Sequence, residues 1–228
     1  MPVESSIHVF TLADTNEFGR LGEFGIGEAM KKMPKHPGTP EYTNWKSTGV
    51  TYLFDLAMEQ KVHPDDIVVL KNIFEKAMSK MERDDSNYDL AEMSYQHLGA
   101  FVDGLNVGNG HTKITEIIYI PPNLEKPLTD NGLEGIQIAL QVLSSATGLS
   151  SGSSAGEMLN NVLLMAGLGR ISINDILTLR RISWTVIDQI PVREQLKLKV
   201  LSPISTQLAK FDDFIKGVDV GKMSRDPQ

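Results

Sequence analysis

Gly152-Ser153-Ser154-Ala155-Gly156 has the G-x-S-x-G spacing that, in hydrolases, holds a nucleophilic serine on a sharp turn between a strand and a helix. Such a serine needs a histidine to take its proton and an acid to orient that histidine. The five histidines, His8, His36, His63, His97 and His111, all precede Ser154, which rules out the hydrolase order of serine, acid, histidine. A helical pattern, not a strand, runs up to the motif. Ser154 and Glu157 instead have capping-box spacing, so Ser154 is expected to start a helix.

Two glycine-rich stretches invite a phosphate reading and do not sustain it. In Gly104–Lys113, His111 and Thr112 separate the last glycine from Lys113, whereas a phosphate loop needs its lysine directly after that glycine. The stretch is expected to be a helix-terminating turn. In Gly19-x-x-Gly22-x-x-Gly25-x-Gly27, the position where a dinucleotide fingerprint starting at Gly25 needs its third glycine is Met30. The histidines show no H-E-x-x-H and no pair one turn apart, and His97 on an apolar face reads as a core residue. Asp65-Asp66, Asp84-Asp85 and Asp212-Asp213 are adjacent pairs that cannot face each other on a helix, so they read as helix-end or surface charges. The expectation is therefore a non-enzyme with no catalytic, cofactor-binding or metal-ligating residues and no cofactor.

Two groups of residues suggest binding. Residues 170–199 hold six Lys and Arg against three Asp and Glu, and Arg180, Arg181, Arg193 and Lys197 are candidate contacts for nucleic acid or another anion. Trp184 lies beside them and offers a stacking face or a core side chain. The net charge of −7 sits entirely in residues 1–120, while residues 121–228 are neutral, so any nucleic-acid contact is assigned to the C-terminal half. The second group is Phe18, Leu21, Phe24 and Ile26, apolar residues among the four glycines of 17–27. Each glycine costs about 1 kcal/mol in a helix, so a helix is expected only over 27–33, and the segment before it is a candidate arm for contact with another copy. Ten methionines suit adaptable packing.

Residues that position these groups follow helical spacing. Apolar residues recur every three or four positions over 44–61, 64–82, 88–104, 130–147 and 154–168. Pro64, Asp65 and Asp66 make a favourable helix start. Ser172 and Asp175 open another helix, which Pro191 ends, and a further helix is expected over 192–201. Ser202-Pro203 opens a last helix that Gly217 is expected to end. Residues 6–12 and 114–120 are rich in strand formers and are expected to be short strands.

The chain is thus expected to be all-α, with about eight helices, a short N-terminal strand and one further short strand near 114–120. The Ser/Gly-rich stretch 144–154 places a boundary between an N-terminal helical domain, 1–148, and a smaller C-terminal one, 149–228. No internal repeat is expected. This layout of extended segment, helical domain, linker and short helical domain resembles that of retroviral capsid proteins, although the Gln-Gly-…-Glu segment of that family is missing from the second domain. The expected function is a structural, self-associating protein of coat, capsid or nucleoprotein type, present as a homo-oligomer. A helical adaptor or regulatory binding module is the alternative, and an enzyme of a class without short motifs is a third reading. No secretory signal or membrane-spanning run is visible, so the expected location is the cytoplasm, or a virion if the protein is viral.

Overall fold

A computed structural model of the chain describes residues 8–36, 45–113, 117–146, 148, 154–191 and 201–225. These residues form eleven helices: α1 (Asp14–Gly19), α2 (Gly22–Lys32), α3 (Trp45–Thr48), α4 (Tyr52–Met58), α5 (Pro64–Met78), α6 (Tyr88–Gly108), α7 (Pro122–Asp130), α8 (Gly132–Ala146), α9 (Ala155–Gly167), α10 (Ile173–Gln189) and α11 (Leu201–Arg225). None of them is long and apolar enough to cross a membrane. The all-α expectation holds. The helix expected over 192–201 lies almost wholly outside the described residues.

Neither expected strand forms among the described residues, and one device replaces both. Asp66, in the first turn of α5, accepts the backbone N–H groups of Val9 (3.0 Å) and Phe10 (3.1 Å). Asp175, in the first turn of α10, accepts those of Tyr119 (3.1 Å) and Ile120 (2.9 Å). A carboxylate suits the positive end of a helix, and its charge strengthens the bonds it accepts. Strand-forming residue types are present at both places, but an aspartate occupies the donors that a neighbouring strand would have used. Phe10 and Ile120 then enter the core.

These matching clamps belong to a repeat that the chain's apolar pattern does not announce. Gly22, with φ +58°, separates α1 from α2, and Gly132, with φ +61°, separates α7 from α8. A side chain on Gly25 would collide with the carbonyl of Phe18, and one on Gly135 with that of Leu128. Ile26 and Ala29 are matched by Ile136 and Ala139. Helix α4 ends at Gln60 and α9 at Gly169, both with positive φ, through the same set of closing hydrogen bonds. Asp66-Ile67, Leu70 and Ile73 on α5 are matched by Asp175-Ile176, Leu179 and Ile182 on α10. The first unit is α1–α6 and the second α7–α11, with α9 standing where the first unit has α3 and α4.

The two units meet at their last helices. Phe101, Gly104, Leu105 and Gly108 on α6 correspond to Phe214, Gly217, Val218 and Gly221 on α11. A Cβ on Gly104 would run into the carbonyl of Phe214, and one on Gly217 into the carbonyl of Phe101. Likewise Gly108 faces the carbonyl of Val218, and Gly221 that of Leu105. This reciprocity is that of an isologous contact, in which the same surface is used from both sides. It also explains why Gly217 does not end α11, as its residue type suggests: it is spent on close approach to α6, and the helix continues to Arg225. Two of the four glycines of 17–27 are also spent on close approach. Gly19 lies against Lys76 and Gly25 against Phe18, so α1 and α2 form where an isolated segment would not.

Each last helix also reaches across, α6 packing on α9 and α11 on α4. The apolar core accordingly forms two clusters joined through this pair. One holds Phe10, Ile26, Leu53, Phe54, Phe74 and Phe101 together with Val220 of α11. The other holds Ile136, Leu163, Ile182, Phe211 and Phe214 together with Ala100 and Val107 of α6. Leu143 of α8 and Met158 of α9, on either side of the Ser/Gly-rich stretch, lie in the same cluster. The capping box of Ser154 and Glu157 is present and starts α9.

Two glycine substitutions test this packing. Gly217→Ala places a methyl in the α6 backbone and is expected to cost at least about 3 kcal/mol in urea denaturation. Gly27→Ala, in α2 with open space around it, is expected to stabilise by about 0.5–1 kcal/mol.

Candidate functional site

The four apolar residues at the start of the chain divide by helical face. Phe18 and Ile26 are buried in the first core cluster. Leu21 is 38% exposed and Phe24 66% exposed. In α2 the buried positions are Gly22, Gly25, Ile26, Ala29 and Met30, which leaves Phe24 on the outer face. Leu12, just before α1, is 98% exposed. An open groove runs beside Leu21 and Phe24 and is completed by Lys80, Met81 and the acidic Glu23, Glu82, Asp84 and Asp85.

Two of the four basic candidates are engaged within the chain. Arg180 on α10 pairs with Asp212 on α11 at 2.6 Å. Arg181 makes a two-pronged contact with Glu125 on α7, Nε to Oε1 at 2.8 Å and Nη2 to Oε2 at 3.0 Å. These bonds hold the Glu125 carboxyl below the ordinary carboxylate range. Arg193 and Lys197 lie outside the described residues. Trp184 packs against the second core cluster. Ser154 is a helix cap, and Gly104 and Gly108 lie inside α6.

A buried polar group lies between α6, α9 and α11. His97 Nδ1 is 2.5 Å from Asp213 Oδ2, and both side chains are buried. Burial pushes the Asp213 carboxyl up, against the hydrogen bond and charge of His97. The Lys210 ammonium, 1% exposed, donates to Gln96 Oε1 at 2.5 Å and Asn160 Oδ1 at 2.8 Å. Burial lowers its pKa to about 8, with Asp213 and Glu92 opposing. Shifted groups of this kind mark functional sites when they line a cleft. Here Asp213 and Lys210, together with His97, are buried, and they serve as a polar core that fixes how three helices meet. Asp103, on α6 against Gly167 of α9, is pushed up to about 7 by burial, with the charge of Lys71 opposing.

The adjacent aspartates expected at helix ends or on the surface are split by the helix they share. Asp66 and Asp213 point inward and Asp65 outward. Asp65 joins His8 and His63 in a group whose potential ligand atoms all lie within 4.8 Å of one another. No spacing rule could find this group, because His8 precedes α1 while His63 caps α5.

Compared with known families, curated proteins and solved structures, the chain has no match.

Asp103 gives a pH test. Its folded-state pKa of about 7 lies above the ordinary 3.8, so the folded chain keeps a proton that the unfolded chain releases. The stability this confers is complete below the unfolded value and is lost as pH rises towards the folded one. Asp103→Asn is expected to match the parent near pH 4. Near pH 8 it should exceed the parent by about 1–3 kcal/mol, the full shift being reduced by partial exposure. Urea denaturation at both pH values checks this.

Proposed function

We propose that the protein is a non-enzymatic, self-associating structural subunit, and that Leu12, Leu21 and Phe24 form its contact with a second copy. The observation that carries this reading is a difference between the two units. Where the first unit exposes Leu12, Leu21 and Phe24, the second has Pro122, Asn131 and Glu134 at the matching positions. The repeated fold therefore does not require apolar residues there, and the first unit keeps them at the surface at a cost in solubility. Leu21 and Phe24 line one groove with charged residues around them, and exposed apolar groups rimmed by polar ones are typical of protein contacts. Phe18 and Ile26 support the contact from beneath, as part of the core.

The charge distribution selects the geometry. Residues 1–120 carry −7 and residues 121–228 are neutral. Contact between two first units would set the acidic rims of Glu23, Glu82, Asp84 and Asp85 against each other. Contact of the first unit with the second unit of another copy avoids that repulsion. Such a head-to-tail contact builds rings or open arrays, as a coat or capsid subunit needs. The assembly is through protein contacts: Arg180 and Arg181 already have acidic partners, which disfavours phosphate as theirs. A cytoplasmic protein, or a virion component, fits this reading.

Sedimentation velocity over a wide concentration range is expected to show reversible growth beyond the monomer. Phe24→Ser should weaken association at least tenfold, as for a contact residue worth over 1.4 kcal/mol, and leave the melting temperature unchanged. A parent chain that stays monomeric throughout, or a Phe24→Ser variant that associates like the parent, overturns the proposal.

A further inference from the structure

We infer that His8, His63 and Asp65 form a binding site for a divalent transition metal of the zinc class, with one coordination position open. The atoms are close to what such an ion requires. Zinc holds nitrogen and oxygen ligands at about 2.0–2.2 Å, which puts tetrahedral neighbours roughly 3.4 Å apart. His8 Nε2 lies 3.9 Å from Asp65 Oδ2, and His63 Nδ1 lies 3.7 Å from the same oxygen. The two imidazole rings lie against each other with centroids 3.6 Å apart and planes tilted by 39°. The two distances to the carboxylate need to shorten by only a few tenths of an ångström, all three ligand atoms lie within 4.8 Å of one another, and the three side chains are exposed enough to move.

Support from outside the ligands is in place. Metal-bound histidines usually direct their second ring nitrogen to a carboxylate, which fixes tautomer and orientation. His8 Nδ1 lies 3.5 Å from Oδ1 of the buried Asp66. Asp66 also holds the amides of Val9 and Phe10, so it fixes the backbone directly after His8. The positive end of α5 opposes a cation, and the two carboxylates of Asp65 and Asp66 outweigh its roughly half charge.

The repeat separates this site from the clamp beneath it. In the second unit Asp175 performs the clamp of Asp66, while the positions matching His8, His63 and Asp65 hold Ile118, Ser172 and Asn174. Clamping and helix capping thus need no His, His, Asp set, since Ser172 caps α10 unaided. The histidines of the first unit supply something beyond the shared fold. His63 Nδ1 accepts the Asp65 amide at 3.2 Å as a cap, and a metal on Nδ1 takes over that lone pair.

The test is calorimetric titration of the untagged full chain with zinc(II), together with the visible spectrum of the cobalt(II) form. One ion per chain and the intense absorption of tetrahedral cobalt are expected. His63→Asn keeps a good helix cap and removes the imidazole, and His8→Ala leaves the clamp intact. Each should weaken binding at least tenfold without changing the metal-free melting temperature. Absence of stoichiometric zinc binding overturns the inference. So does undiminished binding by both variants, which would place the ion on other residues.

Discussion

Two helices can approach until their backbones touch only if neither carries a side chain at the crossing. In this protein four glycines meet that condition: Gly104 and Gly108 on α6, and Gly217 and Gly221 on α11, each facing a carbonyl of the other helix. The rest of the architecture follows from this contact. With their axes so close, α6 and α11 cannot each serve only their own unit. Their flanking faces spread over both, α6 onto α9 and α11 onto α4. Val220 therefore belongs to the core of the first unit, and Ala100 and Val107 to that of the second. The units are intertwined, and neither has a complete core without the other's last helix. A methyl at the crossing would disturb both cores together, because a packed interior transmits strain.

The same closeness decides where polar groups end up. His97 and Lys210 occupy matching positions on α6 and α11, one turn before Phe101 and Phe214. A position so near the crossing is buried whatever residue it holds, so a charge there must find a partner. His97 finds Asp213, whose counterpart in the first unit is Ala100. Lys210, without an acid at the matching place, uses the amide oxygens of Gln96 and Asn160. The two units have thus solved one burial problem with different residues. A similar divergence gives Arg180 its partner: Asp212 stands where the first unit has Gly99, which lies beside the Arg180 counterpart, Lys71.

Much of the helical content is legible in the sequence because periodicity reports which face is buried. Helices α5, α6 and α10 and the start of α9 are read directly from apolar spacing and caps. Glycine misleads, because its intrinsic cost in a helix is visible in the sequence while the contact that offsets the cost is not. Gly217 reads as a stop and Gly25 as a helix breaker, yet both lie inside helices where another backbone needs the room. The strand-forming runs mislead for a related reason: Val9, Phe10, Tyr119 and Ile120 favour strands, but Asp66 and Asp175 take their donors. The repeat hides because its shared residues are those few glycines, aspartates and core positions, scattered among surface residues that have changed freely. At the candidate sites, the outward face of Phe24 follows from helical spacing once α2 is known to exist. The meeting of His8 with His63 does not, since it depends on the Asp66 clamp.

The repeat supplies a control inside one molecule. A residue shared by both units is explained by the fold that both must form, as with the clamping aspartates, the crossing glycines, and Ile67 and Ile176. A residue confined to one unit, at a position where the other manages with an unrelated type, is not explained by that requirement. Phe24 against Glu134 and His63 against Ser172 are differences of this second kind, and both place their chemistry at the surface of the first unit. The first unit also carries the excess negative charge, which a surface facing its own copy must neutralise or avoid. The second unit is neutral, which is the property the head-to-tail contact proposed above calls on. The two units thus share one packing problem and differ in what they present at the surface.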